Sequence, residues 1–283
     1  MTLVTPQQML TSARRDGYAI GAFNVENMEM IQAVVTTADR LRAPVILQTT
    51  PGTLEYASLA MFAAMVAAAA ATTSVPVALH LDHGDSFALA AAAVRAGYTS
   101  VMFDGSQRPY AENVAISRRV AEMCHAMDLP VELELGTVGG KEDRLQSRGA
   151  HYTDPDQGVE FVAKTDPDYL AVAIGTAHGP YKGTPQLDVE RLSTIAELVR
   201  LPLVLHGSSG LSDAAVADCV SRGIAKVNFA TELRAAYLKS TRQYLGDHPD
   251  VIDPKKMGGP ARAAVADLVA ARMAVLGCVG KAV

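Results

Sequence analysis

The stretch PVALHLDHG, residues 76–84, contains a pattern that recurs along the whole chain. A proline step ends the preceding helical segment, a short apolar run forms a strand, and polar residues follow where that strand ends. A helical pattern over residues 86–96 comes directly afterwards. Similar proline steps precede three other predicted strands, after residues 43, 129 and 201. The repeating unit is therefore a strand followed by a helix, which is typical of parallel sheets.

Eight strands are predicted, at residues 19–23, 45–48, 77–81, 100–103, 131–135, 170–174, 203–206 and 226–229. The clearest helical patterns cover residues 27–40, 54–72, 86–96, 110–127, 188–200 and 212–222, with an N-terminal helix capped by Thr5 and a C-terminal helix at 262–276. Eight strand–helix units close a (β/α)8 TIM barrel. A doubly wound open sheet is the alternative, but the first strand–helix turn lacks GxGxxG. We predict an α/β fold, one TIM-barrel domain over residues 1–283 with added N- and C-terminal helices.

Composition excludes several classes of function. The 283 residues carry a net charge of −5, whereas a duplex-binding domain is normally basic, so no nucleic-acid partner is expected. The longest apolar run, residues 59–71, is well short of the roughly 20 residues that span a membrane. Three widely spaced cysteines and the absence of a secretory pattern predict reduced thiols and a cytoplasmic protein.

Polar residues collect where the predicted strands end, which is where TIM barrels carry their catalytic groups. His83, His178 and His206 follow three different strands, and three imidazoles with an open position form a catalytic zinc site. From the residues alone, structural histidines are an equal alternative. The carboxylates Asp82, Asp104, Glu132 and Glu134 predict either acid–base and metal chemistry or an ion-pair network. For His80, a core or supporting role is favoured.

Two glycine- or amide-containing turns predict an anion site. Gly207-Ser208-Ser209-Gly210 follows the seventh strand and Asn228-Phe229-Ala230-Thr231 the eighth, each leading into a helix. Helix N-termini offer backbone N–H groups to phosphate, and barrels often bind phosphate at this place. Lys182 could add positive charge there or be a solvated surface lysine.

The motifs HLDHG (80–84), VELELG (131–136), GGKED (139–143), GTAHG (175–179), LHGSSG (205–210) and KVN (226–228) resemble those of class II fructose-bisphosphate and tagatose-bisphosphate aldolases. They occur in the family's order, and the resemblance extends from Gly17 to the C-terminal segment. It implies reversible cleavage of a ketose 1,6-bisphosphate into dihydroxyacetone phosphate and glyceraldehyde 3-phosphate, a reaction of glycolysis and carbohydrate metabolism.

The resemblance also implies roles for individual residues. Zn²⁺ would be held by His83, His178 and His206, and a second metal in some members by Asp104 and Glu134. Asp82 would be the acid–base group at the aldehyde oxygen, and Glu142 would move the proton at the nucleophilic carbon. The implied substrate-binding residues are Gly179, Gly207, Ser208, Ser209, Asn228, Phe229, Ala230 and Thr231. Asn24, by its place at the end of the first strand, and Lys182, by its charge, are further substrate-binding candidates. A monovalent cation (Na⁺ or K⁺), a homodimer or homotetramer and a mobile loop over residues 136–150 are also expected.

Several alternatives stay open. Residues 175–178 and 230–233 favour a tagatose enzyme, whereas residues 137–140 and 179–183 favour a fructose enzyme. A non-catalytic partner subunit of a tagatose-bisphosphate aldolase is the other functional hypothesis. A Schiff-base mechanism needs a lysine in the barrel, and we expect the amine of Lys226 to lie at the wrong end of its strand. Lys255 and Gly258-Gly259-Pro260 depart from the family pattern, so the C-terminal arm is not predicted.

Overall fold

The computed structural model describes residues 3–142, 145–147, 151–181, 183 and 185–282, without the side chains of residues 141, 142 and 145–147. The strands within these ranges are β1 (Ile20–Asn24), β2 (Val45–Thr49), β3 (Val77–Gly84), β4 (Ser100–Phe103), β5 (Val131–Leu135), β6 (Gly139–Glu142), β7 (Leu145–Ser147), β8 (Tyr169–Val172), β9 (Ala177–His178), β10 (Leu203–Leu205) and β11 (Ile224–Phe229). The helices are α1 (Gln7–Asp16), α2 (Met28–Leu41), α3 (Pro51–Ala57), α4 (Leu59–Ala70), α5 (Phe87–Arg95), α6 (Tyr110–His125), α7 (Pro155–Thr165), α8 (Val189–Val199), α9 (Asp213–Ser221), α10 (Thr231–Asp247) and α11 (Pro254–Val275).

Eight parallel strands close a barrel in the order β1-β11-β10-β8-β5-β4-β3-β2. The first and last of them pair directly, with Ala22 opposite Asn228, so the sheet has no free edge. The closed order confirms the predicted TIM barrel. Because the strands are parallel, their C-terminal ends meet at one rim.

Strand β5 illustrates how alternation divides side chains between the two faces of the barrel wall. Val131, Leu133 and Leu135 belong to the hydrophobic core. Glu132 and Glu134 are also buried, and both lie near the ring of His206, a residue at the end of β10. Successive side chains of a strand point to opposite faces, so the sequence VELEL places its carboxylates inside the barrel.

The predicted helix over residues 54–72 is two helices, α3 and α4, which meet at an angle of 90°. The break lies at Ser58, whose φ is +64° and whose hydroxyl accepts a hydrogen bond from the Met61 backbone N–H. Helical periodicity did not reveal it because both flanking segments favour a helix. Among the described residues no single helix is long and apolar enough to cross a membrane. The bent pair α3–α4 meets the same length and hydropathy criteria when its two helices are counted together.

Both terminal helices differ from the sequence prediction. Helix α1 begins after Pro6 without a side-chain cap, so the predicted Thr5 cap is wrong. Helix α11 begins at Pro254, well before residue 262, with Asp253 accepting a hydrogen bond from the Lys255 backbone N–H. Gly258 lies close to α2, where an added Cβ would be 3.2 Å from a carboxylate oxygen of Glu29. Packing against α2 therefore overrides the low helix propensity of this segment.

A small three-stranded sheet, in the order β7-β6-β9, lies outside the barrel wall. Its strand β6 pairs with β7 antiparallel and with β9 parallel, placing Gly140 opposite His178. The described part of segment 136–150 is thus a hairpin paired to the strand that carries His178, and not the irregular loop expected from its glycines. Its mobility stays a prediction. Helix α7 was not among the clearest helical patterns, although Asp154-Pro155 is a helix-start signal.

Candidate active site

Asp82 and His83 are consecutive residues at the end of β3, yet their side chains reach the same cluster. In a regular strand they would point to opposite faces. His83 has a φ of +49°, and the pairing of β3 with β4 shifts between Leu81 and Gly84. This local bulge turns the His83 ring toward the side chains that Asp82 also approaches.

The three predicted histidines lie together at the rim. Ring centroids are 5.1 Å apart for His83 and His178, 4.6 Å for His83 and His206, and 5.9 Å for His178 and His206. One ring nitrogen from each histidine lies within 4.8 Å of the other two. Three imidazole nitrogens at such separations match the ligand set of a catalytic zinc site.

Hydrogen bonds identify which ring nitrogens are available to an ion. His83 Nδ1 is 2.9 Å from Asp104 Oδ2, and His206 Nε2 is 2.9 Å from Glu132 Oε1. Because an ionised carboxylate only accepts hydrogen bonds, these nitrogens carry the protons in the neutral rings. The remaining nitrogens, Nε2 of His83 and Nδ1 of His206, face each other at 2.9 Å. Two lone pairs this close repel unless a cation lies between them, so the residues fit a divalent metal.

Asp82 is fully buried and held from two sides. Asn24 Nδ2 donates to its Oδ2 at 2.8 Å, and Asn228 Nδ2 donates to its Oδ1 at 3.0 Å. The two amides come from β1 and β11, which pair in the barrel wall. They fix the orientation of the carboxylate next to the histidine cluster, as preorganised acid–base catalysis requires.

Asp104 and Glu134 form a second possible ligand set with His83, again with atoms within 4.8 Å of one another. Burial acts to raise the pKa of Asp104, but hydrogen bonds to His83 and Ser106 outweigh it and hold that pKa below its ordinary value. Burial and the nearby carboxylates raise the pKa of Glu134 well above its usual range. No hydrogen-bond donor in the described part of the chain reaches Glu134 Oε2, so this oxygen is free to bind a cation.

A charged network lies inside the barrel among the same elements. Lys226 Nζ donates to Asn228 Oδ1 at 2.7 Å and lies 2.9 Å from Glu132 Oε2. His80 Nε2 is 3.4 Å from the same Glu132 oxygen. Burial would raise the pKa of Glu132, but the Lys226 ammonium and the His206 hydrogen bond hold it below its ordinary value. Burial, followed by the Lys226 charge, lowers the pKa of His80 to about 3, so this ring is neutral.

This network corrects the prediction for Lys226. Its amine lies inside the barrel and reaches Asn228, a residue two positions nearer the C-terminal rim. The prediction assumed that the amine of a residue near the start of a strand lies at the N-terminal end of the barrel, away from the site. The long lysine side chain instead extends along the strand toward the C-terminal rim. His80 has the favoured supporting role in the core, since its Nδ1 is also 2.7 Å from Ser100 Oγ.

The predicted anion turns are joined to each other by hydrogen bonds. Gly207 has a φ of +66°, and a Cβ there would lie 2.7 Å from the Ala177 backbone, so only glycine fits. Tyr181 Oη accepts from the Ala177 N–H at 2.9 Å and donates to the Gly207 carbonyl at 2.7 Å. The hydroxyl of Ser208 donates to the carbonyl of Asn228. These bonds connect β9 and Tyr181 with the turn after β10 and with the end of β11.

The start of α10 differs from that of α9. Ser212 caps α9, whereas Ala230 provides no side-chain cap for α10, which begins at Thr231. In the part of the chain that the structure describes, no N-cap side chain takes the first N–H groups of α10, so those of Thr231 and Glu232 can serve an anion, whereas the Leu233 N–H donates to the Ala230 carbonyl. Phe229 stacks on Phe23 at 5.5 Å in the core, so only its backbone can serve a ligand.

Two predicted site residues cannot be placed. Lys182 lies outside the described residues, and so does the side chain of Glu142, whose backbone pairs with Leu145 in the β6–β7 hairpin. Sequence reasoning overlooked Gln48, which is buried at the end of β2 and donates to Asn24 Oδ1 at 2.8 Å. Its position at a strand end is the signal that could have revealed it.

With the geometry established, comparison with known proteins identifies the family. The model of the family described as fructose-bisphosphate aldolase class-II matches residues 4–281. The chain belongs to this family.

Solved structures agree with the family assignment. The YdjI aldolase from Escherichia coli K12 is 35% identical, with a TM-score of 0.89 and full coverage of both chains. A candidate fructose-1,6-biphosphate aldolase from Coccidioides immitis is 33% identical, with a TM-score of 0.90 over 97% of this chain and 96% of that one. Fructose-bisphosphate aldolase from Campylobacter jejuni, at 22% identity and a TM-score of 0.82 over 99% and 97%, shares the fold. This class II aldolase family member therefore has the aldolase type of active-site scaffold.

Proposed function

We propose that the protein is a metal-dependent class II aldolase that reversibly cleaves D-fructose or D-tagatose 1,6-bisphosphate into dihydroxyacetone phosphate and glyceraldehyde 3-phosphate. The observation that carries the proposal is the meeting of three imidazoles beside Asp82, a buried carboxylate fixed by two amides. Family membership supports the aldolase chemistry.

His83, His178 and His206 would hold Zn²⁺, and Asp104 with Glu134 offers a second position. A bound Zn²⁺ supplies Lewis-acid stabilisation of the negative charge that develops on the substrate oxygens. The two ring nitrogens that face each other at 2.9 Å, His83 Nε2 and His206 Nδ1, support this assignment, because a cation bound by both would remove the repulsion between their lone pairs.

Asp82 would take the proton from the C4 hydroxyl as the C3–C4 bond breaks, leaving the C4 oxygen as the aldehyde of glyceraldehyde 3-phosphate. The electron pair of the broken bond stays on C3, conjugated with the C2 oxygen, until Glu142 in its protonated form would deliver a proton to C3 and complete dihydroxyacetone phosphate. Asn24 and Asn228 orient Asp82 for the first transfer. The role of Glu142 rests on the resemblance of the motif GGKED, since its side chain lies outside the described residues.

The turns after β10 and β11 would bind a phosphate group of the substrate. Gly179, Gly207, Ser208 and Ser209 contribute from one side, and Asn228 to Thr231 from the uncapped start of α10. The Ser208 hydroxyl is engaged with the Asn228 carbonyl, so its backbone N–H is the group proposed to contact phosphate. Lys182 and a monovalent cation, Na⁺ or K⁺, complete the proposed site.

The decisive experiment measures kcat/KM for both bisphosphates with the zinc-loaded protein. Cleavage of one of them, abolished by EDTA and restored by Zn²⁺, supports the proposal. A zinc-loaded protein that cleaves neither sugar alone would favour the partner-subunit hypothesis. Borohydride treatment with substrate should leave no covalent adduct, because the Lys226 amine is engaged by Asn228 and Glu132.

Assembly and location belong to the same proposal. A homodimer or homotetramer, with an accessory subunit if the enzyme is tagatose-specific, is what the family resemblance implies. The three widely spaced cysteines support the proposed cytoplasmic location. Size-exclusion chromatography with light scattering measures the first, and fractionation of the source cells the second.

A further inference from the structure

A lysine inside a barrel core needs an explanation. Lys226 is fully buried, and so is its partner Glu132. Removing two charges from water is costly, and a buried ion pair can often be replaced by apolar residues without loss of stability. Fold stability alone therefore does not account for this pair, whereas its further contacts suggest a role.

The first of these contacts runs through Asn228 to Asp82. An ammonium group only donates, so Lys226 Nζ at 2.7 Å requires the carbonyl oxygen of the Asn228 amide to face it. The NH2 group of the same amide is then turned toward Asp82, where it donates to Oδ1 at 3.0 Å. Without the ammonium, the amide could rotate and present its oxygen to the carboxylate.

The second contact runs through Glu132 to His206. Lys226 lies 2.9 Å from Glu132 Oε2, while Oε1 of that carboxylate accepts from His206 Nε2 at 2.9 Å. This hydrogen bond assigns the proton to Nε2 and leaves Nδ1 for the metal. Lys226 therefore holds one oxygen of the carboxylate whose other oxygen orients the His206 ring.

We propose that Lys226 is a positioning residue, whose single ammonium fixes both the amide that orients Asp82 and the carboxylate that orients His206. It is not a nucleophile and does not contact the substrate. The proposal rests on the function proposed above, in that Asp82 and His206 are taken as the acid–base group and a metal ligand.

Two variants of the full-length protein test this role. Lys226→Met removes the ammonium at similar length but leaves Glu132 unpaired in the core, which endangers folding. The double variant Lys226→Met with Glu132→Gln removes both charges and keeps an acceptor for His206. Phe62→Leu, a buried change in α4 outside the network, serves as the control for general loss of stability.

We expect the folded variants to bind Zn²⁺ about tenfold more weakly in chelator competition, and the absorption spectrum of the Co²⁺-loaded protein to change. We also expect kcat to fall at least about tenfold with little change in KM, because Asp82 loses its alignment. The control should keep the wild-type zinc affinity, cobalt spectrum and kcat.

A folded double variant whose zinc affinity or kcat equals that of the wild type would overturn the proposal. So would a control that reproduces the losses, since they would then reflect destabilisation. Failure of the proposed function has a separate signature: the wild type would bind cobalt yet cleave neither bisphosphate, and the cobalt spectra would still report the effect of Lys226.

Discussion

At the scale of single residues, the pair Asp82-His83 combines a proton-transfer group and a proposed metal ligand in adjacent positions. Regular strand geometry separates neighbouring side chains, so the φ of +49° at His83 is a structural requirement of the site. Non-glycine residues in this region are uncommon and often mark functional positions. We therefore expect different effects from replacing Asp82 and from disturbing the backbone that orients His83.

Asp82→Asn should lower kcat by about 10²- to 10⁴-fold, because an amide cannot accept the C4 hydroxyl proton. Zinc content should stay at the wild-type level, since the proposed zinc ligands are the three clustered imidazoles and Asp82 is not among them. Steady-state kinetics and metal analysis of the same preparation measure both quantities. An unchanged rate would remove Asp82 from the mechanism.

Gly84→Ala should disturb the bulge that orients His83. A Cβ at residue 84 would lie 2.5 Å from the Met102 carbonyl oxygen, a contact that the barrel wall cannot relieve without moving. We expect the free energy of unfolding to fall by about 1–3 kcal/mol and zinc to bind more weakly. Urea unfolding and chelator competition measure the two effects.

Gly246→Ala is the matched control for that substitution. This glycine lies within α10, and outside its chain neighbours and the helix's own backbone an added Cβ would meet no atom within 4 Å. Alanine should raise the free energy of unfolding by about 0.5–1 kcal/mol there, because it suits a helix better than glycine. Equal effects of the two substitutions would contradict the contact between residue 84 and Met102.

The identities of the site residues could be read from the sequence, but their contacts could not. Strand ends and motif order indicated His83, His178 and His206, and the structure brings them together. The reach of Lys226 could not be foreseen, because strand position fixes a Cα while a four-carbon side chain decides where its amine lies. Gln48 was overlooked because a lone glutamine belongs to no spaced motif; its place at the end of a strand was the signal available.

At the scale of elements, strand starts were predicted accurately where a proline step precedes an apolar run: β2, β3, β5 and β10 begin at the predicted residues. The bounds of β4 and β5 were predicted correctly. The three strands of the outer sheet were missed because the segment GGKE has no apolar alternation, and pairing to β9 is a tertiary interaction. The break between α3 and α4 was missed for a related reason: it depends on one backbone angle at Ser58.

That angle makes a prediction for Ser58→Gly. With φ +64° and ψ 156°, Ser58 occupies a region that is almost restricted to glycine, at a cost of about 1–3 kcal/mol. Glycine would remove this strain. Replacing the Ser58 N-cap by glycine costs only a few tenths of a kcal/mol in return. The free energy of unfolding should therefore rise by about 1 kcal/mol in urea denaturation.

Ser58→Ala separates the two contributions. Alanine keeps the strained backbone and removes the hydroxyl that caps Met61, so it should destabilise the protein by about 1 kcal/mol. If Ser58→Gly proved less stable than the wild type, the conformation at the α3–α4 junction would not be strained, and the break would need another cause.

At the scale of the whole molecule, the barrel could be predicted because one strand–helix unit repeats, and eight such units close a (β/α)8 barrel. What the repeat does not encode is how loops from distant segments meet. The proposed ion connects β3, β9 and the end of β10. Two of these segments belong to the barrel wall and the third, β9, belongs to the outer sheet. Metal binding should therefore stabilise the molecule as a whole as well as the site.

We expect Zn²⁺ to raise the thermal unfolding midpoint of the metal-free protein. A ligand at 1,000 times its Kd stabilises the folded state by about 4 kcal/mol, which for a domain of this size corresponds to a rise on the order of 8 °C. Differential scanning calorimetry of protein treated with EDTA, before and after Zn²⁺ addition, measures this rise.

Asp82→Asn should retain the zinc-dependent rise, whereas His206→Ala should lose most of it, because only the second substitution removes one of the three imidazoles. Excess Mg²⁺ should not reproduce the rise, since nitrogen ligands favour zinc over magnesium. A midpoint that does not respond to Zn²⁺ would mean that the cluster binds no metal, and the proposed aldolase chemistry would lose its electrophile.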